Sequence, residues 1–520
     1  MNRFFSTAIL ICTVSAVMAM PVRRGQWKTV TLADGSTVSV EARGDETMHY
    51  WQSADGRCYV RDSHTDRYRE VALETLKRNA AAPATRASRT RKMRAQALRR
   101  NATQSNRLNG QKRGIVILVD FKGKGFSMAN PSNYYSKLFN TKDYYEYGFN
   151  GSVHDYFYAQ SHGKFDISFD VVGPVTMPHY FAYYGRNDEE KVGEMIHDAC
   201  VAVDDEVDFS KYDWDGDGEV DMVYVVYAGY GQADYSENDN YIWPHMYILS
   251  GYSYYENTLL RLDNTVVDVY ACSNEMDYTQ NLNGIGTVCH EFSHCLGLPD
   301  MYDTAANTNF GMGSWDLMDY GCNNDNGRTP SGYTGYEKMV LGWSTPIELT
   351  DPVTVTAMQP ASQMGRSYVV YNPARKTEFY VLDNRQPVGF DEALPGHGML
   401  ITHVDYDEKI WDNNIVNATG KDPSSGLTNS HQRATIYHAD NDDDIKTESS
   451  DPYPYHGNDS LTGSSRPAAK WYNVGSDGET RPGFGIFDIK ENDDGTMSFN
   501  FRAANVPGPG SEVSPTGDDE

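Results

Sequence analysis

Apolar and polar positions follow three different rhythms along this chain, and the changes of rhythm divide it. From residue 20 to about 85, short runs sit around tight turns. Trp27-Lys28-Thr29-Val30-Thr31-Leu32 and Ser36-Thr37-Val38-Ser39-Val40 flank Asp34-Gly35, while Tyr50-Trp51 and Cys58-Tyr59-Val60 flank Asp55-Gly56. This pattern predicts a small β-rich unit. From Gly114 the apolar runs become continuous: Gly114 to Phe121 and Asp221 to Ala228 predict strands of a buried sheet, and Phe165 to Val172 a further strand. Ser152 to Ser161 and Asp188 to Val203 carry helical spacing, and another helix begins near Asn283. Strands that alternate with helices predict an α/β or α+β domain over residues 114–345. After Trp343 short strands return, at 353–355, 378–382, 398–404 and 496–501. They predict a β-rich region over 346–502, expected as a sandwich. Residues 503–520, rich in Pro, Gly, Ser and acid, read as a disordered tail.

Composition sharpens two boundaries. Arg3 followed by the apolar run Phe4 to Val17, with Val17-Met18-Ala19 before Met20, reads as a secretory signal over residues 1–19. No later stretch is long and apolar enough to span a membrane, so the mature protein is expected to be exported and soluble. Residues 86–113 hold ten Lys or Arg and no acid in a chain of net charge −27. That contrast predicts an exposed linker cut after Arg, most simply near Arg113, which makes 20–113 a propeptide. The acidic balance argues against nucleic acid as partner and favours cations, calcium above all. Six cysteines remain after the signal, and their spacing does not fix a pairing.

The chemistry concentrates in Val288-Cys289-His290-Glu291-Phe292-Ser293-His294-Cys295-Leu296-Gly297-Leu298-Pro299-Asp300. Histidines four apart lie on one helix face, so both imidazoles can reach one ion. Glu291 projects beside that ion without binding it, placed to take a proton from a zinc-activated water. Gly297 can end the helix in a left-handed conformation and Pro299 prevents its continuation. The chain then turns back, and Asp300 offers the third ligand that a catalytic zinc needs. Asp303 is the alternative, with the spacing favouring Asp300. The bland alternative is a buried helix whose two histidines are simply satisfied.

The motif His-Glu-x-x-His-x-x-Gly-x-x-Asp resembles the metzincin clan in its variant with Asp as third ligand. The resemblance implies a twisted sheet with helices and a methionine-bearing turn, for which Met318 in Gly311 to Gly321 is the match. Tyr320, two residues on, corresponds to a tyrosine that helps hold the oxyanion in some metzincins; simple packing is the other reading. More closely, the chain resembles the immune inhibitor A family of secreted bacterial metallopeptidases. Gly-Leu-Pro-Asp-Met-Tyr-Asp from Gly297, Gly-Ser-Trp-Asp-Leu-Met from Gly313, Ser161-His162-Gly163-Lys164, Ile242-Trp243-Pro244-His245 and Leu394-Pro395-Gly396-His397-Gly398 carry that likeness, which covers about residues 114–440. Cys58, in Gly56-Arg57-Cys58-Tyr59, resembles the cysteine switch of some metzincin precursors, although the flanking Pro and Gly of that switch are missing. A buried structural cysteine is the favoured reading, and steric blockage by the whole N-terminal unit the safer source of latency.

Asp213-Trp214-Asp215-Gly216-Asp217-Gly218-Glu219-Val220-Asp221 alternates acids around glycines, as a calcium loop does. Asp213, Asp215, Asp217, Glu219 and Asp221 are the expected ligands, in a structural role. His403 and Asp405 read as buried strand partners, and Asp440 to Asp444 as a solvated cluster. Together these features predict a secreted zinc endopeptidase made as a zymogen. It would act as a monomer on extended protein or peptide substrates paired to an edge strand. A non-catalytic calcium-dependent adhesion protein and a zinc amidase are the rival classes.

Overall fold

The computed structural model of the chain describes residues 20–79 and 107–503, apart from positions 26, 46–47, 63–64, 66, 186–188, 234–239, 253–258, 278, 306–307, 423–424, 475–477 and 479. The expected signal, most of the basic linker and the tail from 504 on lie outside the described residues.

The N-terminal unit is an antiparallel meander of β1 (Trp27–Thr31), β2 (Thr37–Gly44), β3 (His49–Ser53), β4 (Cys58–Asp62) and β5 (Arg67–Val71), followed by α1 (Leu73–Asn79). Gly35 and Gly56 take φ of 88° and 84° at its two predicted turns, a region that residues with a Cβ rarely adopt. Val30, Val40, Tyr59 and Tyr68 form one small cluster; Met48, Tyr50 and Cys58 form another. Met20, Val22 and Ala42 belong instead to the large core of the following domain.

That domain is built on β6 (Gly110–Phe121), α2 (Pro131–Asn140), α3 (Val153–Gln160), β7 (Phe165–Met177), α4 (Glu189–Val203), β8 (Val223–Tyr230), β9 (His245–Ile248), β10 (Leu260–Leu262), β11 (Thr265–Val267), β12 (Val269–Met276), α5 (Ile285–Leu296) and α6 (Gly335–Val340). Its main sheet runs β7-β6-β8-β12-β9. The first four strands are parallel, and β9 closes the edge antiparallel to β12. Seven of eight residues in β8 are buried, which explains the unbroken apolar run: a parallel strand is covered on both faces. Ser152 caps α3 through a reciprocal pair with Asp155. Phe157 on α3 and Phe169 on β7 pack against Phe292 of α5, with ring centroids 4.6 and 5.8 Å apart.

One boundary differs from the expectation. The first strand starts at Gly110, and Lys112 and Arg113 pair with Ile167 and Ser168 of β7. Arg113 forms an ion pair with Asp170 at 2.5 Å, and Arg107 is buried on Asp221 at 2.5 Å. Residues 107–113 are therefore part of the domain, not of a loose tether, because acids of the sheet and the calcium-type loop meet their charge. Position 113, the expected cut, lies inside this hydrogen-bonded ladder.

The C-terminal region comprises β13 (Ile347–Glu348), β14 (Val353–Met358), β15 (Tyr368–Tyr371), β16 (Glu378–Arg385), β17 (Gly398–Asp405), α7 (Glu408–Asp412), β18 (Ala434–Ile436), β19 (Leu461–Thr462), β20 (Phe484–Glu491) and β21 (Met497–Ala503), besides a two-residue hairpin. One sheet runs β13-β15-β16-β17-β18 and the other β14-β21-β20-β19. Tyr380, Leu382 and Ile401 face Ile486, Phe499 and Phe501 across the sandwich. The alternate positions Phe379, Val381, Leu400 and Val404 turn the other way into the core shared with the preceding domain. Every residue of β16 and β17 is consequently buried. The whole is a mixed α+β protein, with its C-terminal sandwich fused to the central domain.

Candidate metal centre

Helix α5 is buried along its whole length. Gly286 lies so close to the 320–327 segment that a Cβ there would come within 1.8 Å of the Cys322 carbonyl oxygen. The helix ends as expected: Gly297 takes φ 108°, and its N–H reaches His294 O at 3.0 Å. The chain reverses and brings Asp300 back against the histidines.

The Nε2 atoms of His290 and His294 lie 3.2 Å apart, and Asp300 Oδ1 lies 3.3 Å from the first and 3.2 Å from the second. Ligands about 2.0–2.1 Å from a tetrahedral zinc sit about 3.3–3.4 Å from one another, so the donor set fits such an ion with one position left over. All three side chains are buried. Burial alone would raise the Asp300 pKa, but the charge of His294 and bonds from both imidazoles hold it well below the usual carboxylate range. His290 Nδ1 donates to Leu317 O and His294 Nδ1 to Leu298 O, both at 2.8 Å, which points each Nε2 into the site. Asn414 completes this outer layer. Its side-chain oxygen accepts the Asp300 N–H at 2.9 Å and its amide donates to Asp300 Oδ2.

Glu291 is fully buried. Burial and the nearby Asp300 carboxylate push its pKa up to about 8, against the opposing charge of His290. Its Oε1 accepts the backbone N–H of Met20 at 3.0 Å, its Oε2 is buried without a hydrogen-bond partner, and the N–H of Met246 on β9 adds a small downward pull on its pKa. Trp243 Nε1 donates to Met20 O at 3.3 Å, and His49 packs against Trp243 in a tilted arrangement with centroids 5.3 Å apart. The N-terminal unit thus sits on the cleft, with its first described residue on Glu291. No sequence signal marked Met20 or Asn414, because neither contact is local.

The other expected residues separate. Met318 is buried directly after the Leu317 carbonyl that holds His290, and its own carbonyl accepts Met301 N–H at 2.8 Å. Tyr320 lies under the guanidinium of Arg24, whose centre is 3.8 Å from the ring centroid. Asp303 caps its own loop by accepting Ala305 N, Thr308 N and Asn309 N, which leaves Asp300 as the third donor. Cys58 does not approach the histidines. It is buried within the N-terminal sheet and lies 3.8 Å from the Gly56 carbonyl, and burial pushes its pKa up. The six cysteines from Cys58 on are all buried and free.

In the acidic loop, carboxylate oxygens of Asp213, Asp215 and Asp217 come within 4.8 Å of one another. Asp215 Oδ2 is buried without a hydrogen-bond partner. Glu219 is not among the converging carboxylates. Asp221 is a correction: it faces inward, where Arg107 at 2.5 Å and Trp214 N at 2.5 Å take its two oxygens. His403 pairs with Glu378 at 3.0 Å and Asp405 with Arg433 at 2.8 Å, as strand partners.

A mixed sheet whose edge strand flanks a helix bearing two histidines and a carboxylate, with a returning aspartate, defines a metallopeptidase domain. Residues 115–344 match the profile of the immune inhibitor A peptidase M6 catalytic domain. The chain is 27 % identical over 247 residues to the pre-pro-metalloprotease PrtV of Vibrio cholerae, covering 42 % of this chain and 26 % of that protein. It is also 27 % identical over 290 residues to immune inhibitor A of Bacillus thuringiensis subsp. alesti, covering 45 % of this chain and 41 % of the relative. The chain thus spans less than half the length of either. Among the described residues no helix is long and apolar enough to cross a membrane.

Proposed function

We propose that this protein is a secreted zinc endopeptidase, made as a precursor and held latent by residues 20 to about 106. The observation that carries the reading is the near-equilateral donor triangle of His290, His294 and Asp300 beside a buried, unligated Glu291. A bound zinc would acidify a water and polarise the scissile carbonyl. Glu291 accepts the proton of that water and passes it to the leaving amine, and its raised pKa suits transfer near neutral pH. Met318 supports the floor of the site through the Leu317–Met318 turn, and Tyr320 stands as the oxyanion-side hydroxyl once Arg24 has left. An extended substrate pairs along the edge strand β9, whose Met246 N–H already acts on Glu291.

The latency proposal is supported by Met20, which lies against Glu291 and Thr287 of α5. A substrate cannot share that space. Calcium, held by Asp213, Asp215 and Asp217, would brace the loop before β8; the partnerless Asp215 oxygen supports this. The protein acts as an exported monomer. Casein zymography of the processed protein beside Glu291→Ala tests the central claim. A clear zone that persists in Glu291→Ala would overturn it.

A further inference from the structure

The residues after Met20 do more than fill the cleft. Arg24 places its guanidinium over the ring of Tyr320, 3.8 Å from the centroid, within electrostatic reach of the carboxyl groups of Asp319 and Glu448. Both acids are buried, at 0 % and 7 % exposure. Each is pinned by neutral donors of one loop. Asp319 accepts Met312 N at 2.8 Å, Gly313 N at 2.9 Å and Tyr320 N at 2.8 Å, while Glu448 accepts Ser314 N at 2.7 Å and Ser314 Oγ at 2.8 Å. Burial raises the pKa of both, that of Asp319 to about 8, and the charge of Arg24 opposes each rise. The neighbouring Arg23 makes looser, neutral contacts, to the side-chain oxygens of Asn323 and Asn326 at 3.3 Å. Arg24 stands four positions after Met20, which lies on Glu291. Extended chain covers at most about 14 Å over that interval, so the backbone of Arg24 lies within that reach of the residue seated on the catalytic carboxylate.

We propose that Tyr320, Asp319 and Glu448 form a specificity pocket for an arginine side chain of the substrate, which Arg24 occupies in the precursor. The inference rests on the endopeptidase reading above and names the side chain that reading leaves open. A planar guanidinium can stack on the phenol ring while its edges meet two carboxylates, which the compact ammonium of lysine does less well. Departure of the N-terminal unit leaves two buried acids facing a vacated cation site, and a substrate arginine restores the pairing.

The test uses the full chain processed to its active form and a peptide library with every residue varied around the scissile bond. Arginine should be enriched at one fixed position, with kcat/KM about tenfold above the same peptide carrying norleucine and lysine in between. Glu448→Gln keeps an acceptor for Ser314 and should bring the arginine-to-norleucine ratio below about twofold. Tyr320→Leu, which removes the ring without touching a charge, is the second variant and should also lower the ratio, whatever its effect on overall rate. The peptide Met-Pro-Val-Arg-Arg-Gly should inhibit about tenfold better than the version with norleucine at its fifth position. Cleavage with no basic preference, or a preference unchanged in both variants, overturns the pocket and leaves the endopeptidase reading standing. Failure to cut any peptide or casein removes that reading, and the pocket with it.

Discussion

Asn414 grips Asp300 by both ends of its amide: its oxygen accepts the Asp300 N–H at 2.9 Å and its nitrogen donates to the carboxylate. A residue just after α7, in the C-terminal region, therefore orients the third donor of the candidate metal centre. Asn414→Ala should lower zinc affinity by about 10- to 100-fold, the usual effect of losing an outer-layer partner. Titration against a competing chelator measures this. An unchanged affinity would reduce Asn414 to a packing residue.

Metal analysis of the protein should find about one tightly held zinc per chain, and a strong chelator should abolish proteolysis. His290→Ala and His294→Ala should lose the ion. Glu291→Gln should retain it and lose activity, because the amide cannot accept the proton. Retained turnover in Glu291→Gln would refute the assigned role.

If the Asp213–Asp217 loop holds calcium, removing the ion should lower the melting temperature, since a ligand bound to the native state alone stabilises it by mass action. At about a hundredfold excess over Kd the effect is about 2.7 kcal/mol, which corresponds to roughly 5–10 °C for a domain of this size. Asp215→Ala with Asp217→Ala should reproduce the loss. A double variant that melts like the parent with and without calcium would leave only an acidic turn.

Latency should depend on the segment that touches Glu291, not on the thiol of Cys58. Precursor lacking residues 20–24 should cleave a quenched peptide before processing, whereas Cys58→Ala should remain as latent as the parent. Premature activity in Cys58→Ala alone would reinstate the switch. Full activity of the uncut parent would remove the propeptide assignment altogether.

The sandwich should lose stability in acid through Glu378. Burial alone would raise its pKa, but bonds from His403, from the N–H groups of Tyr472 and Asn473, and from the Asn473 side chain hold it at about 2 instead of 4.5. A depressed carboxylate stabilises the fold above its unfolded pKa, and that contribution is lost as pH falls from about 4.5 to about 2. The loss amounts to at most about 3 kcal/mol. Chemical denaturation at a series of pH values should show this slope in the parent and a flatter one in Glu378→Gln. Equal slopes would mean that other groups govern acid sensitivity.

The sequence by itself determined whatever depends on neighbours along the chain. Helical spacing put His290 and His294 on one face, Gly297 and Pro299 set where α5 ends, and the three-residue return made Asp300 available. The unbroken apolar runs of β6 and β8 likewise named buried strands, because period and burial are local properties. Charge was the misleading signal. Arg107 and Arg113 read as tether residues, yet they are strand-edge and core partners, since Asp221 and Asp170 arrive from more than 50 positions away. The same event withdrew Asp221 from the acidic loop. Tertiary structure alone decided which distant groups complete the site: Asn414 behind Asp300, Met20 on Glu291, Arg24 over Tyr320. Those contacts span more than a hundred residues, and the two faces of β16 and β17 are likewise buried at once, one in the sandwich and one against the catalytic domain. A pattern of period two tells that a strand has two faces; it does not tell what each face will meet.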